Sequence, residues 1–202
     1  MRDLFIEAID KNQAAFGLDL DDRRKVLLAD HYEIVMEHNP LLHLVGPCTP
    51  EEFAVRHVLE SLTLLEYMPF NAGLADIGPG AGFPSIPCLL VSDELRGLLI
   101  ESKEKKARYL EEAVQRLGLS GRVRVVNKQF KETRPEGVGY ITCRALDRFS
   151  ENLGTLIKWS NGKKLLFFGG RDMGDKLQER GIKFVQKLLP LSEQRYLYIS
   201  DK

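Results

Sequence analysis

The chain has 202 residues, 44% hydrophobic and 29% charged, a length and composition that provide a real buried core and exclude a disordered or fibrous chain. Its 29 Lys/Arg balance 29 Asp/Glu, yet residues 1–60 carry 6 basic against 12 acidic side chains and the remainder 23 against 17, a skew that fits either an anionic partner for the second part or a solvated surface. Cys48, Cys88 and Cys143 have no metal-ligand spacing, the opening MRDLFIEAIDKNQ is too charged for a signal peptide, and the apolar run IPCLLV is too short to cross a bilayer, so we expect a cytoplasmic protein with no metal and no membrane partner.

Residues 1–68 read as helices. The first spans roughly 2–16, with Phe5, Ile9 and Phe16 on one side. The second spans about 21–38, started by the acidic LDLDD and stopped by Asn39-Pro40. The third begins at Thr49, with Pro50 in its first position, Glu52 completing a capping box, and Val55, Val58, Leu59, Leu62 and Leu65 at helical spacing. From residue 72 the pattern becomes strand–helix alternation. GLADI, GLLIE (97–101), VRVV (123–126), GYITC (139–143), KLLFF (164–168), IKFVQKLL (182–189) and RYLYIS (195–200) read as strands. PSIPCLLVS, residues 103–119, 147–159 and about 172–180 read as helices, with Gly118 a stop for the second of these. This predicts an α/β fold: a helical extension, 1–68, followed by one compact unit, 69–202, with a seven-stranded, mostly parallel sheet ending in an antiparallel hairpin.

The turn after the first strand, LADIGPGAGFPSIP, gathers Gly78, Gly80 and Gly82 behind Asp76 and ahead of Pro84 and Pro87. Glycines permit positive φ and close approach of bare backbone to a ligand, and a proline in the first helical turn forfeits no hydrogen bond. A dinucleotide fingerprint needs a glycine where Phe83 stands. The spacing D-x-G-x-G-x-G resembles instead the first motif of class I S-adenosylmethionine methyltransferases. Glu101 ends the second strand 19 residues after Gly82, where a carboxylate can accept from both ribose hydroxyls. The alternative is a tight turn without a ligand and Glu101 as a charge at a helix start.

RHVLESL (56–62), DIGPGAGFPSIP, ESKEKKARYLEEAVQRLGL and TCRALDRF follow in one order. Together they resemble the bacterial small-subunit (16S) ribosomal RNA guanine-N7 methyltransferases, the glucose-inhibited division protein B family, over nearly the whole chain. The resemblance implies a Rossmann-like class I S-adenosylmethionine-dependent methyltransferase acting on small-subunit ribosomal RNA or an assembling small subunit, as a monomer. It implies that Gly78, Gly80, Gly82, Phe83, Glu101 and Ser102 hold S-adenosylmethionine, that Phe130 and Lys131 flank its adenine mainly through backbone, and that Arg144 stands beside the methyl group as a cofactor-binding and positioning residue. Arg56, His57 and Arg171 are its candidates for substrate contact. The chain departs from the family pattern at His43 and Val45, at Gln129–Lys131, where the acidic residue is lost or moved to Glu132, and at Phe168 in a lysine position, for which Arg171 is a substitute. Two other chemistries stay open: S-adenosylmethionine-dependent methylation of another RNA site or a small molecule, including attack by a Cys143 thiolate on a pyrimidine ring, and RNA binding without catalysis. Phosphate contacts are available from Lys103, Lys105, Lys106, Arg122, Arg124, Lys128, Arg134, Lys158, Lys163 and Lys164.

Overall fold

A computed structural model describes residues 1–144 and 149–201. Seven strands, β1 (Gly73–Ile77), β2 (Arg96–Ile100), β3 (Val123–Val126), β4 (Tyr140–Arg144), β5 (Lys164–Gly169), β6 (Phe184–Leu188) and β7 (Tyr196–Ser200), form one sheet in the order β3-β2-β1-β4-β5-β7-β6. The first five are parallel. β7 runs antiparallel to both neighbours and lies between β5 and β6, so the closing hairpin is inserted into the sheet edge by its second strand. The order reverses at β1, whose two sides are taken by β2 and β4. In an open parallel sheet the crevice outside the carboxyl ends at such a switch point is the ligand position.

Side chains alternate across the sheet. Leu74, Leu99, Leu166, Phe168, Leu197 and Ile199 face one layer of helices. Ala75, Ile77, Ile141, Cys143, Phe167 and Tyr198 face the other. The second layer holds α7 (Phe149–Ser160) and α8 (Asp172–Gln178), through Leu153, Leu156, Met173 and Leu177. The first layer holds α5 (Ser85–Val91), the strongly amphipathic α6 (Glu104–Arg116), and the N-terminal helices α1 (Arg2–Asn12) and α2 (Asp22–Leu42). Phe5, Tyr32 and Phe53 make a ring cluster there, Phe5 stacked on Tyr32 at 4.8 Å. Residues 145–148, which include the rest of the CRAL motif and the expected start of the seventh helix, lie outside the described residues.

Three local expectations change. α2 does not stop at Asn39-Pro40 but runs to Leu42. A proline in the last turn forfeits one bond to the carbonyl four residues back, and Asn39 compensates by accepting from the His43 N–H (3.0 Å) and, at its side chain, from the Val45 N–H (2.9 Å). The Thr49/Glu52 capping box forms at α3 (Pro50–Phe53) as expected, but the chain then widens into π-type turns over Ala54–Leu59 before α4 (Glu60–Leu62). Pro84 caps α5 rather than opening it, and Pro87 takes the third helical position, where no intrahelical donor is needed.

Candidate functional site

The glycine turn follows β1 as it leaves the sheet. Gly78, Gly80 and Gly82 have φ of +69°, +58° and +95°, the left-handed region where side chains are strained. Their roles differ. A Cβ on Gly82 would overlap Ile86, 2.8 Å from Cγ1 and closer still to Cδ1, so this glycine lets the turn close onto α5. A Cβ on Gly80 would meet nothing within 4 Å among the described residues: it faces open space. Below the turn, Asp76 is fully buried and accepts from the Ser85 N–H (3.2 Å). Burial raises its carboxyl pKa to about 8. Ala81 is held from beneath, its carbonyl accepting from His31 Nε2 (2.9 Å) and the Tyr109 hydroxyl (3.2 Å).

The open space is a cleft of about 320 Å³ bordered by Gly78–Ala81, Phe83, Glu101, Ser102, Lys106 and Arg144, with Leu44–Gly46 as its lip. Glu101 follows β2 immediately rather than ending it. Its Oε1 accepts from the Lys103 N–H (2.9 Å), and its Oε2 is a long 3.4 Å from the Gly80 N. The segment after β3 is tied to it, Asn127 Nδ2 donating to the Glu101 carbonyl (2.9 Å). Phe130 and Lys131 do not border the cleft: Phe130 packs edge-on against Trp159, and Lys131 is exposed.

The π-type turns bring His57 to the cleft wall, where its ring stacks on Phe83 at 5.1 Å. Burial, then the nearby Arg144, lowers its pKa to about 3, so it is neutral at physiological pH. Arg56 points elsewhere, to an exposed groove shared with Glu52 and Arg195. Arg171 is exposed and donates to the Tyr196 hydroxyl (3.3 Å).

Arg144 ends β4, in register with Phe168 on β5, and its guanidinium lies 5.5 Å from that ring centroid. It donates to Glu60 Oε2 (3.0 Å), while Arg195 donates to Glu60 Oε1 (2.6 Å). Glu60 is 0% exposed, a buried carboxylate whose two oxygens are each taken by a guanidinium. Arg144 Nη1 is buried and has no partner among the described residues. On its far side a second pocket of about 360 Å³ opens between Phe168–Gly170, α8, Leu189 and Arg195. Arg144 is the only described residue that borders both spaces.

Glu60 and Arg195 were not singled out from the sequence. The available signal was Glu60 standing among Val55, Val58, Leu59 and Leu62 on a buried stripe, where a charge demands a partner. Cys143 is not a nucleophile: it is buried on the opposite face, burial pushes its thiol well above the ordinary value, and it does not border either space. Arg122 is a structural bolt rather than a phosphate ligand, donating to the carbonyls of Leu89, Ser92 and Leu95. Among the described residues one exposed group has metal-ligand spacing, Glu37, His38 and Glu112, and Arg116 already bridges its two carboxylates. No helix among them is long and apolar enough to cross a membrane.

Comparison with known proteins adds to this geometry. The "Ribosomal RNA small subunit methyltransferase G" of Pelotomaculum thermopropionicum is 38% identical over 115 residues, 56% of this chain and 48% of that protein. The protein of the same name from Staphylococcus haemolyticus is 32% identical over 152 residues, 72% of this chain and 62% of the other. The chain thus spans about half to under two thirds of the length of these curated relatives. Among solved structures, a SAM dependent methyltransferase from Aquifex aeolicus superposes with a TM-score of 0.58 at 15% identity, covering 84% of this chain and 97% of that one. The mitomycin 7-O-methyltransferase MmcR superposes with a TM-score of 0.62 at 16% identity, covering 85% and 60%. These structural likenesses establish the Rossmann-like methyltransferase fold. A family model described as rRNA small subunit methyltransferase G matches residues 24–191, and the chain belongs to that family, GidB.

Proposed function

We propose that this chain binds S-adenosylmethionine in the glycine cleft and methylates N7 of a guanosine in small-subunit ribosomal RNA, free or in an assembling particle. The observation that carries the reading is the pairing of a bare, open Gly80 with Glu101 Oε2, which has only a long contact to it and so keeps acceptor capacity toward the cleft. That combination fits a ribose whose two hydroxyls need an acceptor and a chain that must lie flush against its ligand. When bound, S-adenosylmethionine supplies a methyl group on a positively charged sulfur.

The chain's residues then have the following work. Gly78, Gly80 and Phe83 line the methionine and ribose side, and Gly82 lets the turn close. Glu101 and Ser102 hold the ribose. Phe130 and Lys131 stand outside the cleft wall, so contact from their backbone is confined to the far, adenine end of the ligand, past the segment Asn127 ties to Glu101. Guanine N7 carries a free lone pair in the neutral base, so the reaction requires neither a base catalyst nor a metal, and alignment is the main contribution. Arg144 provides it, held by Glu60 at the border of the cleft. Neutral His57 closes the wall without adding charge beside a cationic donor. Arg56 and Arg171, both exposed, serve RNA phosphates.

The test is transfer of labelled methyl from S-adenosylmethionine to small-subunit RNA lacking the modification, followed by nucleoside analysis. Label in 7-methylguanosine supports the reading. Label in another nucleoside, or none with the donor demonstrably bound, removes it.

A further inference from the structure

We propose that the pocket beyond Arg144 receives the target guanine and that Asp172 reads its Watson–Crick edge, making Asp172 the residue that selects guanine. The inference rests on the methyl-transfer reading above and names the part of the site that reading leaves open.

The pocket has the build of a base slot. Its volume, about 360 Å³, lies within the roughly 300–1,000 Å³ of small-ligand clefts. Phe168, Met173 and Leu189 give apolar walls, and Gly169 and Gly170 leave the backbone bare between them. A base that undergoes chemistry is taken out of its stack into such a slot and read on its edges. Arg144 is the shared border with the cofactor cleft, and its Nη1 is a buried donor with no partner among the described residues.

Orientation follows from the reaction. N7 has to face the cleft, so the Hoogsteen edge lies toward Arg144. On that edge O6 neighbours N7. The free Nη1 donates to O6 and leaves the N7 lone pair for the methyl group. The adjoining Watson–Crick edge, with its N1–H and its N2 amine, runs from O6 away from Arg144 and needs an acceptor. Among the described residues two carboxylates border the pocket. Both oxygens of Glu60 are engaged by Arg144 and Arg195. Asp172 commits Oδ2 to Lys176 (2.5 Å) and its carboxylate also accepts from the backbone N–H groups of Asp172 and Met173, but its Oδ1 lies on the Gly170 side, 3.2 Å from where a Cβ on Gly170 would stand, and a carboxylate has about four lone-pair sites. Lys176 lowers the Asp172 pKa, keeping it an ionised acceptor. Adenine offers an N1 lone pair at the corresponding position, which a carboxylate repels.

The test uses the 202-residue chain and small-subunit RNA carrying either guanosine or inosine at the methylated nucleotide, once that nucleotide is mapped. Inosine keeps N7, O6 and N1–H and lacks the N2 amine. The wild-type protein should lose about tenfold or more in kcat/KM on inosine, the value of a hydrogen bond to a charged group. Asp172→Asn should reduce activity on guanosine and shrink the inosine penalty to within about twofold, with S-adenosylhomocysteine affinity at the wild-type level as the control for folding. Lys176→Met, which leaves the carboxylate in place, should keep the penalty. An undiminished penalty in Asp172→Asn, or none in the wild type, overturns the assignment while leaving methyl transfer standing. Absence of 7-methylguanosine from the wild-type reaction overturns the underlying reading instead.

Discussion

Glu60, fully buried on α4, holds Arg144 at the end of β4 through a 3.0 Å hydrogen bond, joining the N-terminal helices to the sheet at the border of the glycine cleft. With Arg195 on the other oxygen, the trio carries one net positive charge around a carboxylate that is itself shut off from water. Replacing Glu60 by Gln keeps the shape and removes the charge that separates two guanidiniums. Breaking a buried pair on one side costs roughly 3–5 kcal/mol, so Glu60→Gln should lower the unfolding free energy by about that much in urea titration. A variant as stable as the wild type would mean that the two arginines find water on their own.

Arg144→Lys separates positioning from folding. Lysine retains the charge that Glu60 requires but loses the planar fork that holds one N–H on Glu60 while offering another to a substrate atom. Methyl transfer should fall about 100-fold, the scale of a misplaced reacting group, with S-adenosylhomocysteine affinity unchanged. Near-normal turnover in single-turnover assays would take Arg144 out of the alignment.

Two neighbouring glycines should fail differently. Gly82→Ala drives a methyl group into Ile86 and should cost about 1–3 kcal/mol as overpacking, on top of strain at positive φ. Gly80→Ala meets no protein atom and carries only the backbone strain, about 1–2 kcal/mol, but it puts a methyl group in the cleft. It should remain folded and bind S-adenosylhomocysteine at least roughly tenfold more weakly, about 1.4 kcal/mol. Thermal melts with and without ligand distinguish the two, and equal ligand stabilisation of Gly80→Ala and wild type would place the ligand elsewhere.

What the sequence revealed were features encoded within a few residues of each other. The glycine spacing, the Thr49–Glu52 capping box and the alternation of apolar strands all depend on neighbours in the chain, and they led to the fold and the cleft. Glu60 and Arg195 are 135 positions apart, and nothing local states that one will satisfy the other. The insertion of β7 beside β5 was hidden for the same reason: the short LPLSEQ link announces a hairpin, not which strand enters the sheet. Pro40 misled because its local cost is real but is offset by the Asn39 contacts to the loop that follows. Cys143 and Arg122 looked reactive or RNA-facing by type; burial places the first in the interior, and three backbone carbonyls engage the second.

Glu101 should report on the ligand more than on the fold. Its Oε1 is spent on the Lys103 N–H, and its Oε2 makes only a long contact to Gly80. Glu101→Gln keeps one acceptor oxygen and exchanges the other for a donor, so a ribose hydroxyl loses a charge-assisted bond of about 1.5–3 kcal/mol. Calorimetric titration with S-adenosylhomocysteine should give an affinity lower by roughly tenfold or more. An unchanged affinity would mean that the carboxylate serves the loop alone.

Stability should peak in mildly acidic solution and fall toward alkaline pH because of Asp76. Burial raises its pKa from 3.8 to about 8, so its contribution is complete below the unfolded value and disappears as pH rises through the folded one. Burial acts oppositely on His31 and His57, lowering them from 6.5 to about 4 and about 3; their contribution is complete above 6.5 and disappears as pH falls through those values. Between pH 4 and 6.5 the three oppose one another. From 6.5 to 8 the histidines are neutral in both states and Asp76 still titrates, so urea midpoints of the ligand-free protein should decline over that interval. Asp76→Asn can still accept the Ser85 N–H and has no charge to lose, so its midpoints should stay level there. The same decline in both proteins would assign the alkaline loss to another group and leave Asp76 ionised in the fold.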